Sequence, residues 1–345
     1  MKRFTLLFLP VLFTVMNLQG TTNCVFATAG SMQTLQASCT TDAPLVIPDG
    51  FTMNLNGFTV TGQDPAGDHF RGGVVQKYGG TANVTNGTIT VSILADVCDG
   101  GADRLRGVLF DGASGFITNL KILNIHQGAV LSGCQEGNGI EVRNFGTSPS
   151  TVSAFIDGNT ITGYQKTGIV VNGDSLGTVT NNVVSGFGPQ ILLAQNGIQI
   201  GFGAAAQVKK NAVSGNSYAG SSTVSGGILV VAGPFYGSDY SVGGQIDGNT
   251  LTGNDVGVWL SQIDLSANPP ATQTNIKVVN NTISNSAVTN GLIYQAGVAD
   301  QGNNDKIINN KISGIGYDPA TMPGSTFAVD ADVAFTNRPK VHANK

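Results

Sequence analysis

The chain has 345 residues, a formal net charge of −4 and charged side chains at only 11% of positions. A balance that mild excludes electrostatic adhesion to nucleic acid or to a membrane surface. Glycine occurs 48 times, about twice its usual share, while glutamate occurs only at Glu136 and Glu141, a composition that opposes helix and favours short strands joined by tight turns.

In chain order, Met1-Lys-Arg followed by the apolar run Phe4 to Met16 has the basic start and short apolar core of a secretory signal peptide, too short to span a membrane. Residues 1–20 are therefore expected to be a leader cut near Gly20. A lipid anchor on Cys24 is not expected, because Thr22-Asn23 precedes it. Residues 21–53 are assigned to an N-terminal cap and first strand, 54–335 to one continuous repeat domain, and 336–345 to a flexible tail. Four cysteines in an exported chain suggest two disulfides. Cys98 lies nine residues before Gly107 and Cys134 five before Gly139, on turns of adjacent repeats, which leaves Cys24 to pair with Cys39 across the cap.

From Leu55 to Gly314 a nine-residue pattern recurs, as in Phe155-Ile-Asp-Gly-Asn-Thr-Ile-Thr-Gly163 and Lys306-Ile-Ile-Asn-Asn-Lys-Ile-Ser-Gly314. Its fifth positions are Phe58, Gly87, Leu120, Asn159, Asn182, Asn211, Asn249, Asn281 and Asn310. Such spacing with alternating apolar and β-branched residues marks a stacked solenoid, each unit burying its apolar side against its neighbours. An inward asparagine at each corner can take the left-handed conformation and bond to its counterpart one coil above. The sequons at Asn83, Asn86 and Asn280 are assigned to such ladders.

A second strand led by glycine follows each nonapeptide: Gly107-Val-Leu-Phe-Asp111, Gly139-Ile-Glu-Val-Arg143, Gly168-Ile-Val-Val-Asn172, Gly197-Ile-Gln-Ile-Gly201, Gly227-Ile-Leu-Val-Val231, Gly257-Val-Trp-Leu-Ser261 and Gly291-Leu-Ile-Tyr-Gln295, with an earlier member near Arg71 to Lys77. Over roughly residues 40 to 335 this two-strand unit resembles the right-handed parallel β-helix repeat of secreted carbohydrate-active and periplasmic proteins. The resemblance implies an all-β, single-stranded right-handed parallel β-helix of about nine to ten coils. That architecture hosts lyases, hydrolases, epimerases, adhesins and non-catalytic proteins, so function must be argued from a site.

In a β-helix the second and fourth residues after the leading glycine point outward, about 4.8 Å from their counterparts on the next coil. The early coils then present Asp111, Glu141, Arg143 and Asn172, flanked by Lys77, Arg104 and Arg106. Asp111 and Glu141, roughly 8 Å apart between Cα atoms by strand spacing, suit the acid and base of an inverting glycosidase. For a uronate polymer, Arg143, Arg106 or Lys77 can neutralise the sugar carboxylate while His126 or Lys77 abstracts the C5 proton. An ordinary cross-strand ion pair between Asp111 and Arg143 accounts for the same residues. The paired-aspartate and Gly-His-Gly motifs of polygalacturonases, the Asp-Pro-His of alginate epimerases and the Trp-Ile-Asp-His of pectate lyases are all absent.

The late coils present an apolar stripe, Leu229, Trp259 and Ile293. Trp259 can stack on a sugar or a partner protein, or be covered by the segments Pro234 to Gln245 and Gln262 to Thr274, with Tyr218, Phe235, Tyr236 and Tyr240 forming a wall in either case. The acidic stretch Asp96 to Asp103 offers oxygen ligands for calcium, against a solvated disulfide loop. No cofactor is required, and the scattered His69, His126 and His342 exclude a ligand-spaced metal site. The expectation is a secreted or periplasmic monomer that binds or cleaves polysaccharide as a uronate lyase or glycoside hydrolase, with Asp111, Glu141 and Arg143 catalytic and Lys77, Arg106, His126, Asn172 and Trp259 binding substrate. The alternative is a non-catalytic surface or envelope rod that docks a partner through the apolar stripe.

Overall fold

The computed structural model describes residues 21–146, 151–331 and 336–345, so the expected leader, residues 1–20, lies outside the described residues. Most nonapeptides form two short strands separated by a corner, the second and third copies run as single strands, Thr81–Val91 and Ser114–Leu123, and with strands of the two ends these stack into one 20-stranded sheet. The glycine-led strands stack into a second sheet of ten, from Leu45–Val46 through Gly73–Tyr78, Arg106–Asp111, Asn138–Asn144, Thr167–Gly173, Asn196–Gly201, Gly226–Ala232, Val256–Gln262 and Gln295–Asp300 to Thr326–Asp330. The result is a parallel β-solenoid of about ten turns, whose only helical segment among the described residues is the 3-10 turn Pro234–Tyr236.

The apolar positions of the repeat become columns inside the coil. Ile117, Ile156, Val179, Val208, Ile246, Val278 and Ile307 stack in register, and all are buried. On the glycine strands the first and third residues face the same core, as Val108 and Phe110 do below Ile140 and Val142. The leading glycine is a steric requirement: a Cβ on Gly168 would stand 2.3 Å from Cγ1 of Val184 and 2.7 Å from the carbonyl oxygen of Gly197 on the next coil.

The asparagine ladder is present, with a division of labour that the repeat alone did not show. Asn159 donates its side-chain amide to Oδ1 of Asn182 and to the carbonyl of Ile117, both at 2.9 Å, and its backbone N–H to the same Oδ1. The pattern repeats through Asn211, Asn249, Asn281 and Asn310. The left-handed residue is the one before the ladder asparagine, at Gly158, Asn181, Lys210, Gly248, Asn280 and Asn309, and likewise Asn119 before Leu120. Position four therefore turns the chain and position five ties the coils, because one residue cannot both bend out at positive φ and aim its amide inward. Asn83, Asn86 and Asn280 lie outside this ladder: their amides reach Thr52, Asn54 and Asp247 on the outer face.

The N-terminal end carries the expected disulfide clip, while the C-terminal end differs from expectation. Phe26–Ala29 and Met32–Leu35 form an antiparallel hairpin beneath the first coil, clipped by the Cys24–Cys39 disulfide; a hairpin laid there covers the sheet edge. Of the final strand expected over Phe327 to Phe335, residues 332–335 lie outside the described residues. The segment assigned to a flexible tail contains strand Lys340–His342, which pairs with Lys306–Ile308. Asn344 carries the ladder on, accepting the side-chain amide of Asn310 at 2.9 Å and donating to the carbonyl of Ile307. Lys340-Val-His-Ala-Asn344 is thus a shortened further copy of the repeat.

Candidate functional site

Pairing in the ten-stranded sheet brings part of the expected early patch together. Arg143 lies beside Asp111 and donates to its Oδ2 at 2.7 Å. Glu141 lies beside Leu109 and accepts from Nε of Arg106 at 2.5 Å and from Asn138 at 3.2 Å. Lys77 does not join them. It sits in register with Phe110, an inward position, and pairs with Asp49 at 3.3 Å, while Gln76 and Tyr78 occupy the outward columns there. His126 stands at a corner, edge-on to Phe187, and shares no hydrogen bond with the patch. Asn172 continues the Asp111–Arg143 column and accepts from Gln199 at 3.2 Å.

The patch is roofed rather than open. Arg106 also donates to the carbonyls of Gly101, Ala102 and Arg104 at 3.0, 3.2 and 2.5 Å, and Arg143 donates to Gly101 at 3.2 Å. The segment that supplies those carbonyls is tied down by the Cys98–Cys134 disulfide. Glu136 holds it from below, accepting the backbone N–H groups of Asp99 and Leu105 at 2.7 Å each; burial pushes the Glu136 carboxyl above its ordinary pKa. The side chains of Arg106 and Glu141 are 1% and 6% exposed, against 27% for Asp111. Asp99, in the acidic stretch, pairs with His69 at 2.9 Å. Among the described residues Asp96, Asp99 and Asp103 form no convergent ligand group.

The apolar stripe is corrected in its last member. Val258 pairs with Val298 and Trp259 with Ala299, which places Gly297, not Gly291, at the head of that strand. Ile293 is instead a turn residue with φ 58°. The outward column runs Leu229, Trp259, Ala299, Asp330, and beside it runs Val256, Ala296, Phe327. Two alanines on one coil, between Trp259 below and Phe327 with Asp330 above, leave a hollow.

That hollow is a cleft of about 490 Å³, lined also by Ser222 to Val224, Leu292 and Tyr294. Trp259 is half-buried and its indole N–H donates to Oε1 of Gln301 at 3.1 Å. Tyr294 packs against Phe327 with ring centroids 5.8 Å apart and donates its hydroxyl to Oδ2 of Asp330 at 2.6 Å. The segment expected to cover Trp259 crosses elsewhere: Tyr236 hydrogen-bonds Ser261 at 2.7 Å, and none of Tyr218, Phe235, Tyr236 and Tyr240 lines the cleft. Asp255 anchors the Ser222–Val224 wall. It accepts from Ser217 and from the N–H groups of Tyr218 and Ser225, and Asn290 donates to it at 3.1 Å. Tyr294, Phe327 and Asp330 escaped sequence reasoning because one misplaced glycine shifted that coil; the signal available was Gly297-Val-Ala-Asp300, which keeps the glycine-apolar spacing.

Stacked coils of short parallel strands, aliphatic columns inside and an aromatic cleft on one face define a β-solenoid with a ligand-sized hollow. The chain belongs to the right-handed β-helix family: the family described as "Right handed beta helix region" matches residues 106–321, more than half of it. No curated protein matches the sequence. Among solved structures the chain is similar to the Dettilon tailspike protein, at 18% identity and a TM-score of 0.53, over 91% of this chain and 59% of that one. It thus spans less than two thirds of the tailspike's length. It also aligns with a double mutant of the periplasmic alginate epimerase AlgG, at 11% identity over 92% of this chain and 79% of that one, with a TM-score of 0.49. A third alignment is to the A-module of the Azotobacter vinelandii mannuronan C-5 epimerase AlgE6, at 14% identity over 91% and 88% of the two chains, with a TM-score of 0.27. At these identities the likeness concerns the fold.

Proposed function

We propose that this protein binds polysaccharide, and that the contact is made in the cleft around Trp259. The observation that carries it is the cleft's lining. Trp259, Tyr294 and Phe327 present aromatic surface, and Gln301 and Asp330 set polar atoms beside it, the combination by which a pyranose ring is stacked on its apolar face and hydrogen-bonded at its edge. Trp259 and Asp330 are two coils apart, roughly 10 Å by strand spacing, so a chain of sugars can lie along the solenoid axis. Export is part of the proposal, supported by the two disulfides. No helix among the described residues is long and apolar enough to cross a membrane.

The Asp111, Glu141, Arg143 group is proposed as the clasp of the 96–105 segment rather than as the seat of bond cleavage. Each carboxylate has its own arginine, and both arginines also donate to carbonyls of that segment. Calorimetric titration of the purified protein with a panel of oligosaccharides tests the first part. Binding that is lost in Trp259→Ala and kept in an Asp111→Asn, Glu141→Gln double variant is the expected result. Sugar binding that survives Trp259→Ala moves the site elsewhere. Release of reducing ends or unsaturated uronides that stops in the double variant restores catalysis to the early coils.

A further inference from the structure

The ten-stranded sheet carries its charge unevenly along the axis. Arg106 and Arg143 belong to its early strands, whereas the strands Thr167–Gly173, Asn196–Gly201, Gly226–Ala232, Val256–Gln262, Gln295–Asp300 and Thr326–Asp330 contain no lysine or arginine. The basic residues of the same half lie on the other sheet or beyond it: Lys209, Lys277, Lys306, Lys311 and Lys340 are all in nonapeptide strands. Lys166, just before the first of those six strands, gives its ammonium to the carbonyl of Ala194 at 2.7 Å.

The cleft itself is acidic. Among the described residues its lining contains two carboxylates, Asp300 and Asp330, and no cation. Asp300 is fully committed inside, taking the N–H of Gly302 at 2.8 Å and the hydroxyl of Thr336 at 2.9 Å. Asp330 is half-exposed, with one oxygen fixed by Tyr294, which leaves the other to accept from whatever enters. A sugar carboxylate placed there meets a like charge with no cation to offset it, and like-charge contacts at an interface are costly. Hydroxyl or ammonium groups find a held acceptor.

We infer that the cleft takes a carboxylate-free polysaccharide, one whose sugars present hydroxyl or amino groups, and rejects polyuronates. This rests on the cleft being the sugar site. The test is titration of the full chain with three hexasaccharides of matched length: a neutral β-glucan, a glucosamine oligomer and an oligouronate, each against wild type, Trp259→Ala and Asp330→Asn. The expected result is binding of the neutral or the glucosamine hexamer at least about tenfold tighter than the oligouronate, abolished in Trp259→Ala, with the gap narrowed in Asp330→Asn. The glucosamine hexamer should weaken as salt rises and the neutral one should not. An oligouronate that binds as tightly as the others, and loses its binding in Trp259→Ala, overturns the inference while leaving the cleft as the sugar site. Absence of binding by all three, with the variants folded by circular dichroism, removes the cleft reading and the inference together.

Discussion

Replacing Asn249 by alanine tests the idea that the ladder ties coils together. The substitution removes an acceptor used by both the backbone and side-chain N–H groups of Asn211, at 2.9 and 3.0 Å, and a donor to Val208 and Asn281, at 2.9 Å each. Asn249 is 1% exposed and Asn211 equally so, so water cannot substitute for the lost partners. At about 0.5–1.5 kcal/mol for each of the four bonds, the expected cost is about 2–6 kcal/mol. Because a solenoid's stability is a sum over repeats and their interfaces, the loss should be local before it is global. Urea unfolding followed by the fluorescence of Trp259, on the following glycine strand, gives the magnitude. Amide exchange in the strands Gln245–Asp247 and Lys277–Val279 gives the location. Asn344→Ala is the control, because its site is partly exposed and solvent can take over its bonds; it should cost less than half as much. A cost for Asn249→Ala below about 1 kcal/mol, or equal to that of Asn344→Ala, would refute the reasoning.

Other outcomes follow from particular residues. Arg106→Ala leaves Glu141 buried without its cation and should destabilise the early coils by about 3–5 kcal/mol, measured by urea unfolding; a change within error would show that Asn138 suffices. Asp305 is buried beside Asp300, and burial first, then that neighbour's charge, push its pKa from 3.8 to about 8. The folded chain therefore keeps a proton that the unfolded chain releases, so this contribution is complete below about pH 4 and is lost as pH rises to about 8. Asp305→Asn should flatten that part of the stability profile; an unchanged slope counts against the protonated pair. Reducing Cys98–Cys134 or replacing both residues by serine should expose the 96–105 segment to limited proteolysis while leaving the late coils' exchange protection unchanged.

Much of the architecture was legible because a solenoid writes its geometry as a period. The alternation around Ile156 or Val208, the leading glycines and the corner asparagines all answer to contacts with the copy immediately before or after, so local pattern and tertiary contact coincide. The Cys98–Cys134 pair followed from the same bookkeeping, since coil number converts sequence position into height, and Cys24–Cys39 was the pair that remained. The early patch was legible only as columns: Asp111 and Arg143 were placed side by side, but the Gly101 to Arg104 carbonyls that roof them belong to a segment without a repeat.

The cleft was less legible in the sequence than the coil. Trp259 was visible as an unusual outward residue, yet its neighbours depended on which glycine begins the next coil, and Gly291 and Gly297 both fit a short motif. Stacking decides between them, because only the Gly297 register places Val298 over Val258 in the core and Ala299 over Trp259 outside it. What the sequence determined by itself was the coil, through steric and hydrogen-bonding demands repeated at each turn. What only the tertiary structure decided was enclosure: which outward residues the irregular segments cover, as over Glu141, and which they leave at the edge of a hollow, as at Trp259 and Asp330. The repeats constrain neighbours about 4.8 Å away, whereas the covering segments are placed by single contacts such as the bonds to Asp255, which no period announces.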